Sequence, residues 1–259
     1  MQHKEQNRSF KPIIIIPSRI ASVRLPKKAL KVIDGKAMIW HVWSNAKGMD
    51  IGPVLVATDC EEIADIIHDN GGNAILTNKN HNSGSDRVYE ALLKFDPSEK
   101  YDLIINLQGD MPCFDPDIIV NLLSHIQDED ITTLVSLAKK SEVINPNVVK
   151  VAMSWDNNLK NFGKALYFSR SCIPYNSREY WHHIGIYAWK RNSLKKFISL
   201  SASQLEIIEK LEQLRALENG MEIKALKVKD APIGVDTQND LDRVRKLIKN
   251  KNNPEGKFL

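Results

Sequence analysis

A basic loop near the start of the chain carries residue types that suit the binding of a polyanion. After the apolar run Ile13–Ile16, the segment Pro17–Ala29 contains four basic side chains: Arg19, Arg24, Lys27 and Lys28. Arginine can form paired hydrogen bonds with a phosphate, and lysine can contact it as a point charge. The small residues Ala21 and Ser22 let the backbone approach a ligand closely. The segment is predicted to bind phosphates, although a solvated surface loop is the alternative for such a segment taken alone.

Two aspartates each follow a stretch that is predicted to be a β-strand. Asp110 follows the apolar segment 102–107, and Asp236 follows the segment 222–228. A carboxylate at the end of a buried strand is costly unless it is paired or bound to a metal. We expect both to hold one or two Mg²⁺ ions against phosphates. The alternative is that each caps a following helix, which is stronger for Asp236 because a helix follows it at once.

Other polar residues are candidates for contacts with a substrate. Ser83 and Gly84 open a predicted helix and can offer hydrogen bonds to the edge of a flat base, and an N-terminal capping box there is compatible with that role. His182 and His183 are neighbours on a predicted strand and therefore face opposite sides, and Tyr187 is expected to share the side of His183. A strand histidine is more often structural than a ligand-binding residue.

Two further candidates lie in the second half of the chain. Arg170 ends a predicted strand, where it either pairs with a substrate carboxylate or lies at the surface. Gln213 follows Glu212 on a predicted amphipathic helix, where a solvated face is the plain interpretation.

Up to residue 130, strand-like and helix-like stretches alternate. The predicted strands are 13–16, 53–57, 74–76 and 102–107, and the predicted helices begin at 38 or span 61–70, 86–95 and 117–126. This alternation predicts an α/β fold with a mostly parallel sheet and helices on both faces. In such sheets ligands bind outside the carboxyl ends of the strands, where the basic loop and Asp110 are placed.

After residue 130 the pattern changes. Strand-like stretches at 132–137, 148–152, 165–168 and 183–189 follow one another without long helices between them. Residues 131–200 are therefore expected to include a smaller mixed or antiparallel lobe. A helix over 205–219, a strand over 222–228 and a helix over 240–248 complete the prediction. Residues 11–249 are predicted to form a single domain, with 1–10 and 250–259 as flexible tails.

Composition excludes several classes of protein. The chain has 259 residues, of which 42% are hydrophobic and 26% charged, with a net charge of +4. This charge is mild and no basic block is interleaved with aromatic residues, so we expect no nucleic-acid partner. No apolar run approaches the roughly 20 residues of a membrane span, and the polar N-terminus is unlike a signal peptide. The three cysteines lie far apart, which favours a reducing cytoplasm.

The chain resembles the 3-deoxy-manno-octulosonate cytidylyltransferases, also called CMP-Kdo synthetases. Nine segments in the order of that family carry the resemblance and cover nearly all of residues 12–245. They are Ile-Ile-Pro-Ser-Arg-Ile-Ala-Ser-Val-Arg-Leu-Pro-Lys-Lys (15–28), Val-Ala-Thr-Asp (56–59), His-Asn-Ser-Gly-Ser-Asp-Arg (81–87), Asn-Leu-Gln-Gly-Asp-Met-Pro (106–112), Asn-Pro-Asn-Val-Val-Lys-Val (145–151), Ala-Leu-Tyr-Phe-Ser-Arg-Ser-Cys-Ile-Pro (165–174), His-Ile-Gly-Ile-Tyr (183–187), Leu-Glu-Gln-Leu-Arg (211–215) and Gly-Val-Asp-Thr (234–237).

The resemblance implies a nucleotide-diphospho-sugar transferase fold and a cytoplasmic, Mg²⁺-dependent enzyme that is usually a homodimer. The implied reaction joins CTP to an eight-carbon acidic keto-sugar, gives the CMP-sugar and pyrophosphate, and supplies lipopolysaccharide synthesis. Carried over by motif, the residues that would hold the triphosphate are Arg19, Ser22, Arg24 and Lys28. Those beside the nucleotide would be Ser83, Gly84 and Gln108, and the Mg²⁺ ligands would be Asp110 and Asp236. The sugar pocket would be lined by Arg170, His183, Tyr187 and Gln213. Catalysis would rest on Arg24, Lys28, Asp110 and Asp236.

Three departures from the family pattern bear on the sugar. Lys27 stands where the family usually has Gly, and Met111 stands where it usually has Glu. The stretch between Pro174 and His183 is shorter than in the family. The alternatives are an 8-amino relative of Kdo or a nonulosonate as the sugar, or a catalytically silent nucleotide-binding homologue. Retention of both aspartates together with Arg24 and Lys28 argues against a silent protein.

Overall fold

The central parallel strands of the sheet are built from apolar runs that are buried on both sides. The protein is described here by a computed structural model that covers residues 10–126, 128–156, 159 and 161–252. The strands are β1 Pro12–Ser18, β2 Val32–Ile33, β3 Lys36–Ala37, β4 Val54–Thr58, β5 Asn73–Leu76, β6 Leu103–Asn106, β7 Ile131–Leu137, β8 Lys150–Trp155, β9 Phe162–Ser169, β10 Trp181–Lys190 and β11 Ile223–Lys227. The predicted tails, apart from Phe10 and residues 250–252, lie outside the described residues.

Helices cover the sheet on both faces. They are α1 Met38–Lys47, α2 Glu61–His68, α3 Gly84–Phe95, α4 Asp117–Ser124, α5 Lys140–Val143, α6 Arg191–Ser199, α7 Gln204–Glu209, α8 Gln213–Glu218 and α9 Gln238–Asn252, with a 3₁₀ turn at Lys28–Leu30. Among the described residues, no helix is both long enough and apolar enough to cross a membrane.

One sheet holds nine of the strands, in the order β5-β4-β1-β6-β10-β7-β11-β9-β8. The first four are parallel, as the alternation of strands and helices predicts. In the other half of the sheet, called the antiparallel half below, β10 runs antiparallel to both β6 and β7, and β9 runs antiparallel to β11 and β8. Within it, β11 and β7 are parallel to each other. The strands of the expected lobe therefore continue the same sheet. Because β8 also pairs with β10, the second half of the sheet curls back on itself.

The alternation of side chains along β1 explains why both faces of the sheet are covered. Ile14 and Ile16 pack on the face of α1, α2 and α4, whereas Ile13 and Ile15 pack on the face of α3 and α6. All four side chains are fully buried. A strand that is apolar at every position is typical of a parallel sheet with helices on both sides. This packing fixes the carboxyl end of β1, from which the basic loop begins.

The helices differ from the prediction in three main respects. The helix predicted over 205–219 is two short helices, because Lys210 takes a left-handed conformation at φ 55° and ends α7. The break turns Leu211 and Leu214 into the core. Helix α6 was not predicted, since its sequence is rich in lysine and serine and only Leu194 and Phe197 are buried apolar residues within it. The last helix extends to Asn252, beyond the predicted 248.

Candidate active site

A cleft of about 480 Å³ opens at the carboxyl ends of β1 and β6. Its lining includes every residue that was predicted to contact the nucleotide or the metal, namely Arg19, Ser22, Arg24, Lys28, Ser83, Gly84, Gln108, Asp110 and Asp236. The four residues predicted for the sugar pocket do not line this cleft. The structure therefore brings the predicted nucleotide and metal residues together in one cleft, and the predicted sugar residues are not part of its lining.

At the floor of the cleft, cations and carboxylates form a compact cluster. The Lys28 ammonium lies 2.7 Å from Asp110 Oδ2 and 3.1 Å from Asp236 Oδ1. Arg24 Nη2 lies 3.0 Å from Asp236 Oδ2. Burial lowers the pKa of Lys28, but the two carboxylates outweigh this effect and hold its pKa above the ordinary value. Lys28 is therefore fully charged at neutral pH.

Backbone contacts bring the two aspartates together from distant parts of the chain. The Val235 amide donates to the Asp110 carbonyl at 2.9 Å. The capping alternative for Asp236 is wrong, because the Asp240 amide donates to Thr237 Oγ1 at 3.2 Å and thereby caps α9. The carboxylate of Asp236 is left to face Arg24 and Lys28 instead.

Helix α3 begins at the wall of the cleft. Ser83 Oγ accepts from the Asp86 amide at 3.2 Å, and Asp86 Oδ2 accepts from the Ser83 amide at 3.1 Å, which completes the predicted capping box. Ser83 and Gly84 also line the cleft, so capping and ligand contact are compatible. The positive end of the α3 dipole favours a negatively charged ligand nearby.

Asp59, which was not among the predicted site residues, anchors the basic loop. Its Oδ1 accepts from the Ile20 amide at 2.9 Å, and its Oδ2 accepts from Arg87 Nη2 at 3.1 Å. Arg87 Nη1 also donates to Thr77 Oγ1 at 2.6 Å, and the side chains of Asp59 and Arg87 are only 6% and 4% exposed. Asp59 follows a buried strand just as Asp110 does, and that signal would have identified it.

Gln108 connects the cleft to the antiparallel half of the sheet. Its Nε2 donates to the Gly185 carbonyl at 2.9 Å. Gly185 lies in the irregular part of β10 where the pairing with β7 shifts between Ile184 and Tyr187. Gln108 therefore lines the cleft and also holds the β10 backbone at Gly185, between His183 and Tyr187.

His183 and Tyr187 lie on the same side of β10, as predicted, and their ring centroids are 5.4 Å apart. Thr133 Oγ1 donates its only proton to a carbonyl, that of Ile186 at 2.8 Å or of Ile184 at 3.1 Å, so His183 Nε2, 3.0 Å away, acts as the donor to that hydroxyl. Burial lowers the pKa of His183 to about 3 and raises that of Tyr187 well above its ordinary value. Both side chains are therefore neutral at physiological pH.

The solvated face expected for Glu212 and Gln213 is not observed. Gln213 is 4% exposed. Glu212 Oε1 accepts from Ser85 Oγ at 3.0 Å, while Oε2 is buried and has no hydrogen-bond partner among the described residues. Burial raises the pKa of Glu212 above its ordinary value. The start of α8 is thus packed against the start of α3, next to Ser83.

Arg170 organises the backbone beside the cleft. Its Nε donates to the Glu209 carbonyl at 2.9 Å, Nη1 to the Pro146 carbonyl at 3.0 Å and Nη2 to the Lys210 carbonyl at 3.3 Å. A guanidinium has five N–H donors, so two are left for a ligand. Arg170 therefore has a structural role, and its predicted contact with a substrate carboxylate would use only the two remaining donors.

Lys150 and Asn147 were not among the predicted site residues. Lys150 is fully buried, and its Nζ donates to the carbonyls of Asn145, Val148 and Arg170 at 2.9, 2.7 and 2.5 Å. The turn that it holds presents Asn147, whose Oδ1 accepts from Arg24 Nη1 at 3.3 Å. A lysine and an asparagine between turn residues carry no distinctive signal in the sequence, because both are ordinarily solvated.

The donor set agrees with an Mg²⁺ site that is completed by phosphates. Among the described residues, no group of three or more His, Cys, Asp or Glu side chains is arranged to hold a metal. Mg²⁺ usually takes one or two protein carboxylates and completes its shell with water and substrate phosphates. Asp110 and Asp236 supply two carboxylates that already converge on one cation, the Lys28 ammonium.

Comparison with known proteins identifies the class to which this fold and site belong. The chain belongs to the cytidylyltransferase family, because the family model described as Cytidylyltransferase matches residues 13–223. A solved structure titled as 4-diphosphocytidyl-2C-methyl-D-erythritol synthase, from Anaerococcus prevotii, shares the fold at a TM-score of 0.62 and 12% identity, covering 92% of this chain and 99% of that one.

Within the family, the relatives point to one group. The 3-deoxy-manno-octulosonate cytidylyltransferase of Paramagnetospirillum magneticum is 47% identical over 92% of this chain and 98% of its own length. The protein of the same name from Brucella anthropi is 48% identical over 93% of this chain and 97% of its own length. A solved structure of CMP:2-keto-3-deoxy-manno-octonic acid synthetase complexed with CTP has a TM-score of 0.84 and 37% identity, covering 93% of this chain and 99% of that one.

Proposed function

We propose that this protein is a 3-deoxy-manno-octulosonate (Kdo) cytidylyltransferase, which converts CTP and Kdo into CMP-Kdo and pyrophosphate for lipopolysaccharide synthesis. The observation that carries the proposal is the cluster of Arg24, Lys28, Asp110 and Asp236 in a cleft at the carboxyl ends of parallel strands. The names of its relatives point to the same reaction.

In this proposal the basic loop receives the triphosphate. Arg19, Ser22, Arg24 and Lys28 line the cleft with donors and positive charge. The loop is held by the Ile20 amide on Asp59, which the buried Arg87 orients in turn. Donors that are fixed before the substrate arrives lose little entropy on binding, and this favours tight recognition. Ser83, Gly84 and Gln108 also line the cleft, and we propose that the nucleoside would lie beside them.

The chemistry requires positioning and charge stabilisation. The anomeric hydroxyl of Kdo attacks the α-phosphorus, the bond from that phosphorus to the bridging oxygen breaks, and pyrophosphate leaves. Arg24 and Lys28 stabilise the negative charge that develops on the leaving group. Mg²⁺, which we propose would be held by Asp110 and Asp236, would neutralise charge at the phosphates and would help the attacking hydroxyl lose its proton to water.

The sugar would meet a surface of neutral donors and acceptors. Tyr187, His183 and Gln213 are uncharged and buried, and Gln108 donates a hydrogen bond to Gly185, which lies between His183 and Tyr187 in the chain. Arg170 keeps two N–H donors that are not used by backbone carbonyls, which suits a carboxylate at the edge of this region. A pocket of this kind selects a polyhydroxylated acid through the positions of its hydrogen bonds.

We also propose that the enzyme is a cytoplasmic homodimer. The expected location follows from the dispersed free cysteines, and the dimer follows from the resemblance. Large apolar side chains are exposed on segments that Arg170 and Lys150 tie together, and these are Ile144, Leu166, Tyr175, Ile207 and Ile208. Light scattering during size-exclusion chromatography should give twice the mass of 29.4 kDa expected for one chain. A monomeric mass at micromolar concentration would contradict the dimer.

A pyrophosphate-release assay with CTP, Kdo and Mg²⁺ tests the proposed reaction. We expect release that requires all three components and formation of CMP-Kdo in equal amount, as resolved by anion-exchange chromatography. Reactions that lack Kdo or contain excess chelator serve as controls. Binding of CTP without any release in the complete mixture would contradict the proposal and favour a silent homologue.

A further inference from the structure

The proposed metal ligands are already occupied by two cations of the protein itself. Lys28 Nζ contacts Oδ2 of Asp110 and Oδ1 of Asp236, and Arg24 Nη2 contacts the other oxygen of Asp236. Two positive charges therefore balance two negative charges. The cluster as a whole presents no net negative charge to a free divalent cation that enters the cleft.

Because of its position, Lys28 opposes metal binding at the two carboxylates more strongly than Arg24 does. Its side chain is 18% exposed and lies between both carboxylates, whereas that of Arg24 is 53% exposed and contacts only one. A divalent cation bound by the same carboxylate oxygens would lie within a few ångströms of the ammonium. At such distances the repulsion between the two charges is large compared with thermal energy, even with substantial solvent screening.

We propose that Lys28, assisted by Arg24, is an internal counterion that excludes free divalent metal from Asp110 and Asp236 until a nucleotide triphosphate is present. The inference rests on the proposed function. The triphosphate offers both cations new anionic partners in the same cleft, and their transfer to the phosphates releases the carboxylates for the metal. Lys28 thus contacts the carboxylates before substrate binds and the phosphates afterwards.

The consequence is thermodynamic coupling between metal and nucleotide. If the nucleotide removes Lys28 from the carboxylates, it raises the affinity of the site for metal, and by linkage the metal raises the affinity for nucleotide by the same factor. Without nucleotide the site binds metal weakly, so an empty enzyme does not retain a metal ion that would have to rearrange when substrate enters. The coupling belongs to the protein and adds to the affinity of CTP for Mg²⁺ in solution.

Binding of Mn²⁺ in the absence of nucleotide tests this inference directly. Free Mn²⁺ is measured by electron paramagnetic resonance for the wild type, Lys28→Met and Lys27→Met. Lys27→Met is the matched control, because Lys27 is the neighbouring lysine in the same loop and its substitution removes the same charge. We expect Lys28→Met to bind Mn²⁺ about tenfold or more tightly than the wild type, and Lys27→Met to resemble the wild type. Adding Asp110→Asn to Lys28→Met should remove the gain.

Two further results decide the outcome. Arg24→Met, which removes the more exposed cation, should tighten Mn²⁺ binding by a smaller factor than Lys28→Met. If Lys28→Met does not fold, Arg24→Met provides the test in its place. Lys28→Met binding Mn²⁺ no more tightly than Lys27→Met, or Arg24→Met binding no more tightly than the wild type, would overturn the inference. Because no nucleotide or sugar is present, these outcomes are independent of the pyrophosphate-release assay, which tests the proposed function by itself.

Discussion

The two halves of the sheet handle polar groups in opposite ways. At the carboxyl ends of the parallel strands β1 and β6, Arg24, Lys28 and Asp110 reach the cleft and meet Asp236, which comes from beyond β11, through salt bridges. In the antiparallel half, His183 and Tyr187 are buried and neutral, and Lys150 is held by three backbone carbonyls. The first set can exchange its partners for those of a ligand, whereas the second set is fixed in place.

This difference assigns a different kind of recognition to each half. Charged side chains that neutralise one another are well suited to a triphosphate and its metal, because charge is conserved when the partners change. Buried neutral groups lose affinity sharply when a ligand fails to meet them, so they suit discrimination between similar sugars. Gln108 joins the two halves, since it lines the cleft and donates to Gly185 in β10.

Asp110→Asn should have the largest effect on the parallel half. The substitution keeps the shape of the side chain but removes a charge that pairs with Lys28 at 2.7 Å and is proposed to bind metal. We expect kcat to fall by about 10³-fold while CTP binding, measured by isothermal titration without added metal, largely survives. Asp115→Asn, an exposed aspartate in the loop before α4, is the control. Near-normal turnover of the Asp110 variant would show that the metal assignment is wrong.

Arg87→Leu tests whether the buried ion pair between Asp59 and Arg87, which holds the basic loop, stabilises the fold. The substitution leaves the buried carboxylate of Asp59 without its guanidinium partner. We expect a loss of about 3–5 kcal/mol in the free energy of unfolding, measured with urea. The double variant Asp59→Leu/Arg87→Leu should recover part of this loss, and the exposed Arg243→Leu should be close to neutral. A loss below 1 kcal/mol would contradict a structural role for this ion pair.

The pH dependence of stability tests the claim that the antiparallel half is kept neutral. The pKa of His183 is about 3 in the folded protein and about 6.5 in the unfolded chain. The unfolded chain therefore takes up a proton first, and stability falls as pH decreases from about 6.5 towards 3. Relative to His183→Gln, the wild type should lose about 2–3 kcal/mol between pH 6.5 and 4.5. Parallel stability curves for the two proteins would contradict a buried neutral histidine.

The contrast between the halves also explains what could be predicted from the sequence. The cleft was predictable because the basic loop and Asp110 follow β1 and β6, two neighbouring parallel strands whose carboxyl ends meet. Asp236 comes after β11, further along the same mixed sheet. The capping box at Ser83 is a local signal and was confirmed. Asp59 followed the same rule as Asp110 and was overlooked.

The antiparallel half depends on contacts between residues that are distant in the chain. The amphipathic pattern over 205–219 gave no sign of the break at Lys210, because a left-handed lysine is set by packing and not by local preference. Glu212 and Gln213 are buried only because α8 packs against the start of α3. Lys150 is buried because three carbonyls from two separate segments surround its ammonium. The Ser85 partner of Glu212 and the Arg170 carbonyl on Lys150 are distant in sequence, so no local pattern predicts either contact.

Turnover with a panel of acidic sugars tests the central claim most directly. Pyrophosphate release is measured with CTP and Mg²⁺ against Kdo, 8-amino-Kdo and N-acetylneuraminate, and kcat/KM is compared among the three. The account predicts the highest kcat/KM with Kdo. A higher value with either of the other two would contradict the assignment of the sugar and direct attention to Met111 and the short stretch before His183. No release with any of them would contradict the assignment of the reaction.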